Sequence, residues 1–484
     1  MVYVKKRRGV ELKGLTIGMI IKACHGQAHG CDKKLLDFEV SSVTTDSRKT
    51  EEGCLFVPIV GTRADGHDYI EDVISKGAAA SLSEKELPAA AFPYIQVAST
   101  LQAVKDIAAA YLDLTGIQVV AVTGSVGKTS TKEAIASVLS QKYRTLKTLG
   151  NYNNELGLPL TIFRIREEEI AVLELGINHF GEMTRLGRIA RPDTAVITNI
   201  GTCHLEFLGD RDGVLRAKTE LLPFVRENGH VILNGNDDKL LTVTEERGIK
   251  PVFYGIYDEG TKDQGKPSLQ VWAEKLVDKG FSGTDAVIHV GEEAFTAHIP
   301  VPGRHMVMNA LAACAVGHVY GLSVDEMKKG LETLQTIDGR FHIIDTNHLH
   351  IVDDCYNASA LSMKASLEIL KSASGRRAAI LGDMGELGDQ AVSLHQEVGT
   401  YAAGTGIEVL IFVGELAVHM YEAAKACSEK NEFSGTQKII YVPDAASLEE
   451  KLTHYLDKED TVLVKASHFM HFEKIVEILK SMAW

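Results

Sequence analysis

Short apolar runs alternate with stretches of helical spacing along most of this chain. The run Ile117-Gln118-Val119-Val120-Ala121-Val122 has the length and composition of a buried strand, and residues 130–143 after it have helical spacing. Apolar runs at 170–175, 194–198 and 230–233 repeat the strand signal, and their alternation with helices predicts a parallel sheet. Positions 256–300 break the rhythm. Val271-Trp272, 286–290 and 294–299 between polar turns predict an antiparallel excursion, followed by an alanine-rich helix over 306–320. From 336 onward the rhythm returns, with strands expected at 350–352, 378–382, 409–413, 439–442 and 462–465. That pattern predicts an open doubly wound sheet, whose ligands bind beyond the C-terminal ends of its strands. Before residue 112 the signals are shorter: a strand at 54–57, a helix at 69–76 ended by Gly77, and a helix at 101–114 that leads into the second segment.

A chain of 484 residues is too long for one core. The expected fold is α/β in three domains. Residues 1–112 form a small mixed α/β domain, 113–335 a central parallel-sheet domain around a phosphate loop, and 336–484 a C-terminal Rossmann-like doubly wound domain.

Composition narrows the class. Hydrophobic residues at 45% and charged ones at 24% are ordinary for a globular protein. The net charge of −14 argues against a nucleic-acid binder. Seven cysteines, odd in number and without Cys-x-x-Cys spacing, imply neither a disulfide framework nor a zinc site and fit a reducing compartment. The basic cluster Lys5, Lys6, Arg7, Arg8 precedes only a short apolar stretch that makes a poor signal peptide. No run approaches the roughly 18 apolar residues needed to span a membrane. The cytoplasm is the expected location.

Chemistry concentrates after the first predicted strand of the second segment. Thr123-Gly124-Ser125-Val126-Gly127-Lys128-Thr129 is a glycine-rich loop opening a helix. Its glycines let successive backbone N–H groups approach phosphate oxygens, and the helix N-terminus adds a favourable dipole. Lys128 would sit beside the β- and γ-phosphates and the Thr129 hydroxyl would ligate Mg²⁺. Val122 stands where a full Walker A motif has its first glycine. The strand at 170–175 ends in Glu174-Leu175-Gly176, and that at 194–198 runs into Ile200-Gly201-Thr202-Cys203-His204. In a parallel sheet these ends meet the phosphate loop on one edge, so Glu174 and His204 can reach a metal beside a nucleotide; an imidazole is less usual on Mg²⁺, which leaves His204 to hold a second metal or orient a reacting phosphate. Three asparagines in four residues, Asn151, Asn153 and Asn154, exceed what turn formation requires and suggest a ligand-facing surface. Lys218, in Arg216-Ala217-Lys218-Thr219-Glu220, reads from its neighbours alone as a surface lysine.

Taken together these motifs resemble the ATP-dependent Mur ligases of peptidoglycan synthesis. Pro302-Gly-Arg-His-Met-Val-Met-Asn309, Gly339-Arg340 and Asp353-Asp354-Cys355-Tyr356-Asn357-Ala358-Ser359 extend the likeness through all three segments. Leu381-Gly-Asp-Met-Gly-Glu-Leu-Gly388 resembles a motif of the branch that adds D-Ala-D-Ala, and the Asp-Asn-Pro-Arg box of another branch is absent. The resemblance implies an amide ligase that uses ATP and two Mg²⁺ ions, with UDP-MurNAc-tripeptide and D-Ala-D-Ala as its partners, acting as a monomer. It implies that residues 124–130 (Gly124, Ser125, Val126, Gly127, Lys128, Thr129, Ser130) hold the ATP phosphates, and that Asn309, Arg340 and Asp354 contact the nucleotide. It implies that Thr129, Glu174, His204 and a carbamylated Lys218 place the metals, which makes Lys128, Glu174, His204 and Lys218 the catalytic set. In residues 1–112 it implies a receptor for the UDP part, with Ser47 and Arg48 of Thr45-Asp46-Ser47-Arg48 and the stretch 61–67 as its elements. Asn151, Asn153 and Asn154 would face substrate, and 336–484 would hold the dipeptide. The chain departs from the family at Ala360, where proline is usual, and at Lys465-Ala-Ser-His-Phe-Met470, where His468 puts a titratable group in place of an arginine. Two alternatives remain: a related ligase with another acceptor, such as a folylpolyglutamate synthetase, which substrate competition separates, and a nucleotide-binding protein without catalysis, which ATP turnover separates.

Overall fold

Three separate sheets carry the described residues. The computed structural model describes residues 12–62, 64–88, 90–257, 268–430 and 436–482; the basic cluster Lys5 to Arg8 and Arg63 of the 61–67 stretch lie outside the described residues. The first sheet joins β1 (Gln27–His29), β2 (Val43–Thr44), β3 (Leu55–Phe56), β4 (Ala80–Ser83) and β5 (Tyr94–Gln96) in the order β1-β5-β4-β3-β2. Its strands are parallel except β1 against β5. The helix Thr100–Thr115 then carries the chain to the second sheet, opened by the Ser99 side chain on the Gln102 N–H and closed by Gly116 at φ 63°. Its apolar face, with Val104, Ile107 and Tyr111 fully buried, belongs to a core shared with strands of both sheets.

The central sheet contains β6 (Gln118–Thr123), β7 (Thr145–Lys147), β8 (Ile170–Glu174), β9 (Thr194–Ile197), β10 (His230–Asn234), β11 (Val252–Ile256), β12 (Val271–Asp278), β13 (Thr284–Val290) and β14 (Glu293–Ile299). Their order is β14-β13-β12-β11-β10-β9-β6-β8-β7. β7 to β12 run parallel, and β12, β13 and β14 form the expected antiparallel excursion. Val122 pairs with Glu174 and Thr123 with Ile197, so β6, β8 and β9 end together. The helix predicted over 130–143 runs instead from Lys128 to Leu139, because Gly127 at φ 80° turns the chain directly into it. Behind it packs the alanine-rich helix Arg304–Val319, buried on most sides.

The third sheet orders β15 (His342–Asp345), β16 (His350–Asp353), β17 (Arg377–Gly382), β18 (Val409–Val413), β19 (Lys438–Val442) and β20 (Thr461–Lys465) as β15-β16-β20-β17-β18-β19. Its parallel strands are those the sequence predicts. β15, an antiparallel edge strand on β16, was not among them: its residues are only half-buried or exposed, so it lacks an apolar run. All seven cysteines are unpaired. Among the described residues no helix is long and apolar enough to cross a membrane.

Candidate active site

β6 delivers the phosphate loop to the shared strand edge, and the neighbouring strand ends lock it there. Val126 N–H donates to Asn199 Oδ1 at 2.9 Å, and Val126 O accepts from Thr198 Oγ1 at 2.7 Å and Asn199 Nδ2 at 2.9 Å. Ser125 Oγ accepts the Gly201 N–H at 2.8 Å. Gly124 adopts φ 151°, and a Cβ there would lie 1.9 Å from Thr198 Oγ1, so no other residue fits. Lys128 Nζ donates to Gly124 O at 2.9 Å, arching over its own loop. Burial lowers its pKa, against the opposing pull of Glu174. Asn309 reaches this helix from 178 residues away, its Oδ1 accepting from Thr131 Oγ1 at 2.9 Å.

Glu174, 2% exposed at the end of β8, is half-satisfied. Its Oε1 accepts from Asn153 Nδ2 at 2.8 Å, whereas its buried Oε2 has no hydrogen-bond partner. The nearest cation is Lys132, itself 1% exposed, 3.9 Å from Oε2 and held by Thr148 O at 2.8 Å. A buried carboxylate oxygen without a donor, one strand away from the Thr129 hydroxyl, fits a hard cation. Among the described residues no cluster of three His, Cys, Asp or Glu side chains forms. An oxygen-donor set of this kind fits Mg²⁺, which takes few protein ligands and keeps water and phosphate oxygens.

His204 stands at φ 59°, at the start of the short helix Leu205–Leu208. Its Nδ1 lies 2.5 Å from Glu386 Oε2, a residue of the third sheet's β17 loop. That hydrogen bond holds the Glu386 carboxyl below the usual carboxylate range. Lys218 overturns its surface reading. It is 1% exposed, on the helix Arg211–Thr219, and forms no ion pair among the described residues. Burial, reinforced by the charge of Lys128, lowers its pKa to about 7.

The third domain closes the site. Arg340 stacks over Tyr356, its guanidinium carbon 4.0 Å from the ring centre, and donates to Thr129 Oγ1 at 3.3 Å. Asp354 is buried with both oxygens engaged. Oδ1 accepts the Phe341 N–H at 3.1 Å, and Oδ2 accepts from Ser366 Oγ at 2.5 Å and Lys465 Nζ at 2.6 Å. A cavity of about 1030 Å³ lies between these elements. Residues 125–130, Asn153, Asn154, Glu174, Cys203, His204, Asn309, Arg340, Asp354 and Lys465 line it, with Ile59 and Leu101 from the first segment.

Other predicted residues stand elsewhere. Asn151 is exposed and outside that lining, and Asn154 Oδ1 accepts the N–H groups of Leu156 and Gly157 to cap the next helix, so the asparagine run divides between capping and the site. Ser47 and Arg48 are also outside the lining. Arg48 forks onto Asp46 at 2.9 Å within its own turn. Lys218 is buried and not among the residues that line the cavity, within electrostatic reach of Lys128 and Cys203. Sequence reading missed Lys132, Lys465 and Glu386. Lys132, one helical turn beyond Lys128, and Glu386, inside the 381–388 motif, had a signal to find them by.

A phosphate loop with an acidic strand end beside it, roofed by a second α/β domain, defines a nucleotide-dependent enzyme of the three-domain kind. The chain belongs to the Mur ligase family: residues 39–112 match its catalytic domain, 122–317 its middle domain and 339–468 its glutamate ligase domain. It is 37% identical to the UDP-N-acetylmuramoyl-tripeptide–D-alanyl-D-alanine ligase of Bacillus subtilis (strain 168) over 91% of this chain and 93% of that one. The Escherichia coli (strain K12) ligase of the same name is 33% identical, over 96% and 98%. Among solved structures, MurF from Acinetobacter baumannii superimposes with a TM-score of 0.85 at 30% identity, covering 96% of this chain and 99% of that one. MurF ligase from Thermotoga maritima in complex with ADP gives 0.77 at 29%, covering 91% and 97%.

Proposed function

We propose that this chain joins D-Ala-D-Ala to the peptide carboxylate of UDP-MurNAc-tripeptide, consuming ATP and releasing ADP and phosphate. The observation that carries this reading is the near full-length identity to ligases of that name, with the phosphate loop and Glu174 on one strand edge.

A carboxylate is a poor acylating agent because its leaving group would be oxide. In the proposed reaction its oxygen attacks the γ-phosphorus, ADP departs, and an acyl phosphate forms. The dipeptide amine, as its free base, then attacks the acyl carbon, and phosphate leaves with that oxygen and the amine's surplus proton. Lys128 and the N–H groups of the phosphate loop stabilise the transferring phosphate. Mg²⁺ ions held by Thr129, Glu174, His204 and a carbamylated Lys218 would neutralise charge on the phosphate oxygens. A pKa near 7 leaves much of Lys218 as the neutral amine, which can add to CO₂ and release a proton. Arg340 and Asn309 border the nucleotide, and Asp354 shapes its wall through Lys465 rather than through a free oxygen. Residues 1–112 take the UDP part, with Ser47 and Arg48 at their surface, 113–335 the ATP, and 336–484 the dipeptide. Burial between the domains keeps water from the acyl phosphate. The enzyme works as a cytoplasmic monomer.

The test is phosphate release from ATP and Mg²⁺ with each substrate omitted in turn. Release that requires both substrates, with the pentapeptide product seen by mass, is the expected result. Release that neither substrate stimulates overturns the reading.

A further inference from the structure

The motif at 381–388 has a resemblance but no role so far, and its glutamate makes the 2.5 Å contact with His204 across 182 residues. We propose that Glu386 is a positioning residue: it fixes the imidazole of His204 and so couples docking of the third domain to assembly of the metal site. This rests on the reading of His204 as a metal ligand.

A carboxylate can only accept, so the proton of this hydrogen bond belongs to Nδ1 of His204. That choice leaves Nε2 with the lone pair, as a metal-binding histidine requires. A carboxylate on the far nitrogen is the usual device for orienting such a ring.

The loop that offers Glu386 is built rigidly. Asp383 Oδ1 accepts the Ala417 N–H at 2.7 Å, the Met384 N–H donates to Nε2 of the fully buried His395 at 3.0 Å, and the Gly385 N–H donates to Ser467 Oγ at 2.9 Å. All of these partners belong to the third domain. Ser467 lies in the segment where the chain departs from its family, beside His468.

Two further contacts seat the loop on the central domain. The Glu206 N–H donates to Glu386 O at 3.3 Å, and Gly388, at φ 54°, lies so close that a Cβ would be 3.1 Å from Glu206 Cα. His204 and Glu386 both hold φ 59°, a conformation that non-glycine residues seldom adopt.

The test uses the full chain and reads metal binding apart from catalysis. Mn²⁺ binding to the ADP-loaded protein is titrated by electron paramagnetic resonance for wild type, Glu386→Ala, Glu386→Gln, Gly388→Ala and His204→Ala. Glu386→Ala is expected to weaken Mn²⁺ binding about 10- to 100-fold and lower kcat, with ADP affinity unchanged in the absence of metal. Glu386→Gln, whose amide oxygen still accepts from Nδ1–H, is expected to recover most of the loss. Gly388→Ala, which crowds the loop against Glu206 and keeps the Glu386 carboxylate itself, should weaken binding in the same direction. If His204→Ala weakens Mn²⁺ binding and Glu386→Ala leaves it within twofold of wild type, the proposal is overturned while the metal reading stands. If His204→Ala itself has no effect, both fall, and the ligase activity remains to be judged by product formation.

Discussion

Asn153 donates its side-chain amide to Oε1 of Glu174 at 2.8 Å and leaves Oε2 of the same buried carboxylate without a partner. The amide aims the carboxylate, and the unpartnered oxygen is the one with something left to bind. Glu174→Gln keeps the size and the contact with Asn153 and removes the charge. It is expected to lower kcat by two to three orders of magnitude, the loss of a few kcal/mol of metal-borne stabilisation. Asn153→Ala keeps the charge and loses its aim, and should weaken metal binding about 10- to 100-fold. Initial rates of phosphate release against Mg²⁺ concentration separate the two.

Lys218 makes stability depend on pH in a defined direction. Its pKa is about 7 in the folded chain against 10.5 for the unperturbed amine. Between those values the unfolded chain binds more protons, so stability rises with pH through the window and is lowest below about pH 7. Melting temperatures of CO₂-depleted protein should therefore climb with pH relative to those of Lys218→Met, which removes the group. The same depleted protein should regain ligase activity when bicarbonate is added, and Lys218→Met should not.

Gly124→Ala tests the lock on the phosphate loop. Its Cβ would fall 1.9 Å from Thr198 Oγ1, the hydroxyl that holds Val126 O. The loop has to leave that hydroxyl. Calorimetric titration with ADP should show affinity lost by at least about 100-fold, since several phosphate-facing N–H groups move together. Far-ultraviolet circular dichroism should be unchanged.

Lys465→Met leaves Asp354 as a buried carboxylate without its cation. Breaking one side of a buried pair costs about 3–5 kcal/mol. Urea unfolding should show that loss in the third domain's transition. Asp354→Asn combined with Lys465→Met should recover part of it.

What could be read in advance was what the chain writes locally. β6, its glycines and its helix are contiguous, and the parallel rule alone brings Glu174 and His204 to the same edge. The third sheet's parallel strands were legible because each is an uninterrupted apolar run. Lys218 was not, since its neighbours Arg216, Thr219 and Glu220 are polar and its burial comes from how the helix Arg211–Thr219 packs. The pairing of Asp354 with Lys465 spans 111 residues and that of Thr131 with Asn309 spans 178, and no periodicity encodes either. The asparagine run was ambiguous for the opposite reason. Capping and ligand contact call for the same side chain, and only position tells Asn154 from Asn153.

The strand orders have a mechanical consequence. The central sheet and the helices Arg304–Val319 and Val324–Glu332 after it end by Glu332, and the third sheet begins at His342, so the described chain passes between these two bodies only once. A panel hung on one cord can twist freely, because nothing opposes torsion. Its orientation is then set by contacts between the two bodies, among them Arg340 on Thr129 and Glu386 on His204 beside the phosphate loop. Torque about residues 333–341 therefore strains the Arg340 and Glu386 contacts together.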